Sequence, residues 1–217
     1  KDMLHTVIEG PPGVGKTELA KILADVFKCM GILSKGTFKI AKRNDFVGGY
    51  LGQTTIKTQK LLDSCKGGVL FIDEAYSLGN NEGRDSYSKE CIDAITAFLT
   101  EERNDFICII AGYKDELKKS FFTNPGLERR FRLVFTIPKY NSFELVSIFH
   151  KMIIDDKWKL ADSILINSDT SLLYKFIDKN KESFKFCGGD MEALLQNCRD
   201  AHSSRVIGKH PKYKKII

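Results

Sequence analysis

No stretch of this sequence is long and apolar enough to span a bilayer. Its most apolar run, FICIIAG at 106–112, falls far short of the roughly 20 residues a membrane helix needs. The N-terminus also lacks the apolar core of a signal peptide. No repeat, low-complexity tract or Ser/Gly linker breaks up the 217 residues, which argues against solenoids and long disordered arms. Six cysteines are present, Cys29, Cys65, Cys91, Cys108, Cys187 and Cys198, but none forms a C-x-x-C pair and no His/Cys spacing suits a metal. They read as small core residues of an intracellular protein in a reducing compartment, cytoplasmic or equivalent. Charge is not blocked by sign either. Thirty-four Lys and Arg against 28 Asp and Glu leave +6, scattered along the chain, with KHPKYKK at 209–215 the one basic cluster. That pattern favours solvated lysines over a nucleic-acid-binding patch. The chain begins with Lys rather than Met, as expected of a domain cut from a longer protein.

What is present is an alternation. HTVI reads as a strand and KTELAKILADVFKCM as a helix with Leu19, Ile22, Leu23 and Val26 on one apolar face. TFKIA, GVLFID, DFICIIAG and LVFTIP read as further strands, with helices at about 54–65 and 88–101 between them. Continuous apolar strands alternating with helices predict an α/β fold, a parallel sheet covered on both faces. Beyond Pro138 only helical patterns remain, the first with Asn141 and Glu144 at capping-box spacing. The expected organisation is an α/β core over 1–140 and a small C-terminal α-helical domain over 141–217.

Between the first strand and its helix stands Gly10-Pro11-Pro12-Gly13-Val14-Gly15-Lys16-Thr17, which fits G-x-x-x-x-G-K-[ST]. Glycines let backbone N–H groups converge on phosphate, and the helix beginning at Lys16, Thr17 and Glu18 adds its dipole. Lys16 can reach the β- and γ-phosphates, and Thr17 can place a hydroxyl on Mg²⁺. The complementary acids are in VLFIDEA. Four apolar residues bury the strand and deliver Asp73 to its tip, where it can hold Mg²⁺ through water. Glu74 can polarise a water for in-line attack. Paired acids, with a strand intervening between the cradle and Asp73, point to NTPases that use a catalytic glutamate.

GPPGVGKT, VLFIDEAYSL, IIAGYKDEL and NPGLERRF together resemble the AAA+ ATPases. Within them the resemblance is to the CbbX/CfxQ group, the red-type Rubisco activases and their relatives, and it covers Leu4 to about Ile207. It implies a P-loop NTPase core with a helical lid, binding ATP and Mg²⁺ in a homo-oligomeric ring, expected to be hexameric, that remodels a protein client. Tyr50-Leu51-Gly52 matches the family's pore loop. Arg130 matches the arginine finger, with Arg129 in the place of a serine. Tyr113 matches the polar sensor position after the fourth strand. One departure stands out: Met191 occupies the place of the lid arginine that touches the γ-phosphate, and Arg199, two turns on, is a weak substitute. A segment that often encloses adenine would precede residue 1. Two other readings stay open, a nucleic-acid loader or helicase on the same core and a non-hydrolysing ATP-dependent scaffold.

Overall fold

The computed structural model describes residues 3–49, 52–79, 86–102, 104–160 and 171–208. By its contacts the chain forms two compact units, Lys1–Gly10 with Gly15–Ile137, and Pro11–Val14 with Pro138–Ile217.

The first unit holds the strands β1 (His5–Glu9), β2 (Phe38–Ala41), β3 (Val69–Ile72), β4 (Ile107–Gly112) and β5 (Phe131–Thr136). They form one sheet in the order β2-β3-β4-β1-β5, and β4 does intervene between β1 and β3. Every pairing is parallel, with Val7 opposite Ile110 and Val134, and Leu70 opposite Lys39 and Cys108. Parallel neighbours need crossovers. These are α1 (Lys16–Cys29), α2 (Arg43–Phe46) with α3 (Gln53–Asp63), α4 (Ser86–Glu101), and α5 (Lys114–Lys119) with α6 (Pro125–Glu128). Successive strand residues point to opposite faces. Leu70, Ile72, Cys108 and Ile110 pack in one core with Leu61, Leu62, Ile95 and Leu99 of α3 and α4. Val69, Phe71, Ile109 and Ala111 pack in the other with Ala20, Ala24 and Phe27 of α1. Burial on both faces explains the unbroken apolar strands, and the α/β expectation holds.

The expected face of α1 needs correction. Its fully buried residues are Ala20, Ala24 and Phe27, with Leu19 and Leu23 packed at their flanks. Ile22 is 60% and Val26 44% exposed. Alanines one turn apart let the helix backbone approach the sheet closely, which turns Ile22 and Val26 outward.

The second unit is helical: α7 (Ser142–Asp155), α8 (Leu172–Lys179) and α9 (Gly188–Val206). Helix α7 packs against both others. Its start is the capping box the sequence predicts. Glu144 N–H donates to Asn141 Oδ1 at 2.9 Å, and Asn141 N–H donates to Glu144 Oε2 at 2.7 Å. Residues 11–14 belong to this unit through two bonds. Tyr140 Oη donates to the Val14 carbonyl at 2.7 Å, and Gly188 N–H to the Gly13 carbonyl at 2.9 Å.

Candidate functional site

The carboxyl ends of β3, β4 and β1 lie in a row along one edge of the sheet, and the segments leaving them carry Lys16, Asp73, Glu74 and Tyr113. Such strand ends are where open α/β sheets bind ligands. β1 ends at Glu9, and Gly10 N–H donates to the Gly112 carbonyl at the end of β4, 3.3 Å away. Gly13 and Gly15 have φ of 72° and 81°, a region closed to most side chains. Gly15 caps α1 without any side-chain bond to its first turn, and a helix N-terminus favours an anion. Lys16 Nζ donates to the Gly10 carbonyl at 3.0 Å and lies 5.6 Å from the Tyr113 ring centre. Burial pulls the Lys16 ammonium below its usual range, opposed by the charges of Asp73 and Glu74. Thr17 is half-buried beside it, whereas Glu18 is exposed and pairs with Lys21 at 2.7 Å.

Asp73 continues the ladder of β3, its N–H donating to the Ala41 carbonyl at 3.2 Å. Its Oδ1 accepts the Glu74 N–H at 3.1 Å. Glu74 sits at φ 51°, ψ 45°, one of three non-glycine residues with positive φ among the described residues. A left-handed conformation costs a side-chain-bearing residue about 1–2 kcal/mol. Here it turns Glu74 away from the direction of Asp73. Tyr113 caps α5 and is 39% exposed, its ring 5.8 Å from that of Tyr76.

Tyr76 belongs to this group, and sequence reasoning passed over it. Burial, then the charge and hydrogen bond of Glu74, push its hydroxyl up to about 12. It therefore stays a donor to Glu74 at neutral pH. Its signal was its place two residues after the acids in DEAYSL.

The donor set fits Mg²⁺ and a nucleoside triphosphate. Thr17 and Asp73 offer the oxygen ligands that Mg²⁺ prefers, and Lys16 and the α1 amides offer the positive charge that phosphates require.

The other predicted positions lie elsewhere. Arg130 immediately precedes β5, whose first residue, Phe131, pairs with His5 at the start of β1. Arg130 is therefore at the amino edge of the sheet, a strand length of roughly 15 Å from the carboxyl edge that carries Asp73 and Glu74. Its guanidinium binds Thr100 and the Gly126 carbonyl, while Arg129 is exposed. In the helical unit Met191 is fully buried in the first turns of α9, as suits its apolar side chain. Arg199 pairs with Asp156. Gly52 caps α3 with φ 81°, and Tyr50 and Leu51 fall outside the described residues.

Residues 6–138 match the model of the ATPase family associated with various cellular activities (AAA). This chain belongs to the AAA family. Its CfxQ-like character is equally plain. It is 39% identical over 209 residues to a CfxQ homolog of Pyropia yezoensis, covering 96% of this chain and 68% of the relative. A cfxQ-like protein of Acanthamoeba polyphaga mimivirus is 44% identical over 208 residues, 95% of this chain and 50% of that protein. Stage V sporulation protein K of Bacillus subtilis is 38% identical over 184 residues, 81% of this chain and 57% of that protein. This AAA chain thus spans about half the length of the viral and Bacillus relatives. Among solved structures, the FIGL-1 AAA domain in complex with ADP matches 87% of this chain and 57% of its own, at TM-score 0.61 and 18% identity. A RuvB variant from Thermotoga maritima matches 97% of this chain and 60% of its own, at TM-score 0.62 and 16% identity. Both likenesses are of fold. No helix among the described residues is long and apolar enough to cross a membrane.

Proposed function

We propose that this AAA chain binds and hydrolyses ATP with Mg²⁺, and that copies assemble head to tail in a ring, expected to be hexameric, to remodel a protein client. The observation that carries this reading is the separation within one sheet of Lys16, Asp73 and Glu74 from Arg130. An arginine at the amino edge has no path to the γ-phosphate at its own carboxyl edge. It can complete the site of a second copy, and a head-to-tail interface that closes makes a ring. Mg²⁺, when bound, would offset phosphate charge and polarise the reacting phosphorus. Lys16 and the α1 amides hold the phosphates, Thr17 and Asp73 hold the metal, and Glu74 orients and deprotonates the attacking water. Tyr113 lines the site beside Lys16. Arg130 stabilises charge developing on the neighbour's transferred phosphoryl group. The helical unit, which includes Pro11–Val14, serves as the lid. Tyr50, Leu51 and Gly52 grip the client.

Two linked experiments test this. Glu74→Gln should retain ATP, lose at least about a hundredfold in kcat, and capture an unfolded polypeptide under ATP that the added change Tyr50→Ala releases. Lys16→Ala and Arg130→Ala chains, each inactive, should regain part of the turnover when mixed, because some interfaces then pair an intact cradle with an intact arginine. Mixtures that co-assemble without regaining turnover would rule out action in trans. A larger loss from Arg129→Ala than from Arg130→Ala would move the role to the exposed neighbour.

A further inference from the structure

We infer that Thr100 is a positioning residue for Arg130, fixing its guanidinium in the free chain for a triphosphate bound by a neighbouring copy. This rests on the proposed reading of Arg130. Thr100 is the penultimate residue of α4, and its hydroxyl is used in both senses. Its proton goes to the Thr96 carbonyl at 2.8 Å, one turn back. Its oxygen accepts Arg130 Nε–H at 3.0 Å and also an Nη2–H. A hydroxyl has one proton and two lone pairs, so the donation to Thr96 aims both lone pairs at the guanidinium.

The opposite side of Arg130 is held as well. Nη1 donates to the Gly126 carbonyl. Gly126 is fixed in turn, its N–H donating to Asn124 Oδ1 at 2.8 Å at the cap of α6. Asn124, Pro125 and Gly126 thus form a bracket on one side of the arginine, and α4 forms the other. Three of the five guanidinium N–H groups are engaged. The remaining two are on the terminal nitrogens Nη1 and Nη2, those best placed to reach a phosphate in parallel. Arg130 is half-buried while Arg129 beside it is exposed, so the two adjacent arginines differ in restraint. An unrestrained arginine loses rotamer freedom when it is immobilised. A braced one has lost much of that freedom before the phosphate arrives, which is preorganisation in the electrostatic sense.

The test measures steady-state ATP hydrolysis by the full chain, against ATP concentration, for Thr100→Val, Thr100→Ser, Arg130→Ala and the Thr100→Val/Arg130→Ala double variant. Valine keeps the shape and removes the hydroxyl. Arg130→Ala should lower kcat on the order of a thousandfold. Thr100→Val should lower kcat about tenfold or more, with KM unchanged and the melting temperature close to the parent's. Thr100→Ser should recover most of that loss. The double variant should match Arg130→Ala alone, because a brace has no effect once its arginine is gone. An unchanged or raised kcat in Thr100→Val, beside a crippled Arg130→Ala, would overturn the inference and leave the reading of Arg130 intact. Additive losses in the double variant would do the same by exposing a general structural defect, and Thr100→Ala takes the place of valine in that cycle should valine misfold. Normal turnover in Arg130→Ala would remove the reading itself.

Discussion

At the carboxyl ends of β1, β3 and β4 stand Lys16, Asp73, Glu74 and Tyr113, charged or polar and in part exposed. At the amino ends of β1, β4 and β5 stand His5, Phe106 and Phe131, buried, with His5 ring contacts of 6.2 and 5.9 Å to the two phenylalanines. The same strands thus carry polar, partly exposed side chains at one edge and packing at the other. Backbone strain follows the division: Glu74 takes a left-handed conformation at the carboxyl edge. His5, though ionisable, is kept uncharged at the amino edge. Burial pulls the His5 imidazole down to about 4, with the Arg130 charge adding to the effect and the Leu99 backbone opposing it. His5 Nδ1 accepts the Cys108 N–H at 3.1 Å, so the ring acts as a backbone acceptor within the sheet. Arg130 is the polar exception at this edge, held there by Thr100.

The sharpest way to break this comparison is Lys16→Ala. Loss of the ammonium should weaken ATP binding by a hundredfold or more, and change unfolding free energy by less than about 1 kcal/mol. Titration with a fluorescent nucleotide alongside urea unfolding reads both. A large stability loss would make the carboxyl edge structural as well.

At the other edge, acid should act on stability. An unfolded imidazole takes up its proton near pH 6.5 and the folded one only near pH 4. The stability from a neutral His5 is therefore full above pH 6.5 and falls as the pH drops toward 4, by about 3 kcal/mol in total. His5→Asn, whose side-chain oxygen can accept the Cys108 N–H, should lose this part of the pH dependence. Urea unfolding at pH 7 and pH 4.5 checks it, and parallel slopes for parent and variant would contradict it.

The smallest expected effect is that of Tyr76→Phe. Removing the hydroxyl that donates to Glu74 should lower kcat about tenfold, with KM and melting temperature nearly unchanged. Equal turnover in the two chains would leave Tyr76 as packing beside Tyr113 and narrow the chemical edge to the charged residues.

Legibility in the sequence follows the same physical lines. The expected cradle and acids rest on residue type and spacing, and the buried strand VLFI announced where Asp73 would emerge. The family could be read from four short segments, and the comparisons bear it out. The packing face of α1 was misread because apolarity does not say which side of a helix a sheet will take. Ala20 and Ala24 have little hydrophobic signal but allow the close approach that decides it. Tyr76 was missed because its partner is set by the turn that strained Glu74 creates. The brace on Arg130 joins residues thirty apart in the chain, and nothing local in FLTEE points to a guanidinium.

If Arg130 acts on a neighbour as proposed, its separation from the turn at residues 10–17 would also set a reaction order. Under the proposed arrangement a solitary chain holds ATP and leaves it intact. Specific activity then climbs with protein concentration until every copy has a neighbour, and dilution alone turns the hydrolysis off. On that proposal fuel would be consumed only where copies have assembled, with no inhibitor or modification needed to silence stray subunits.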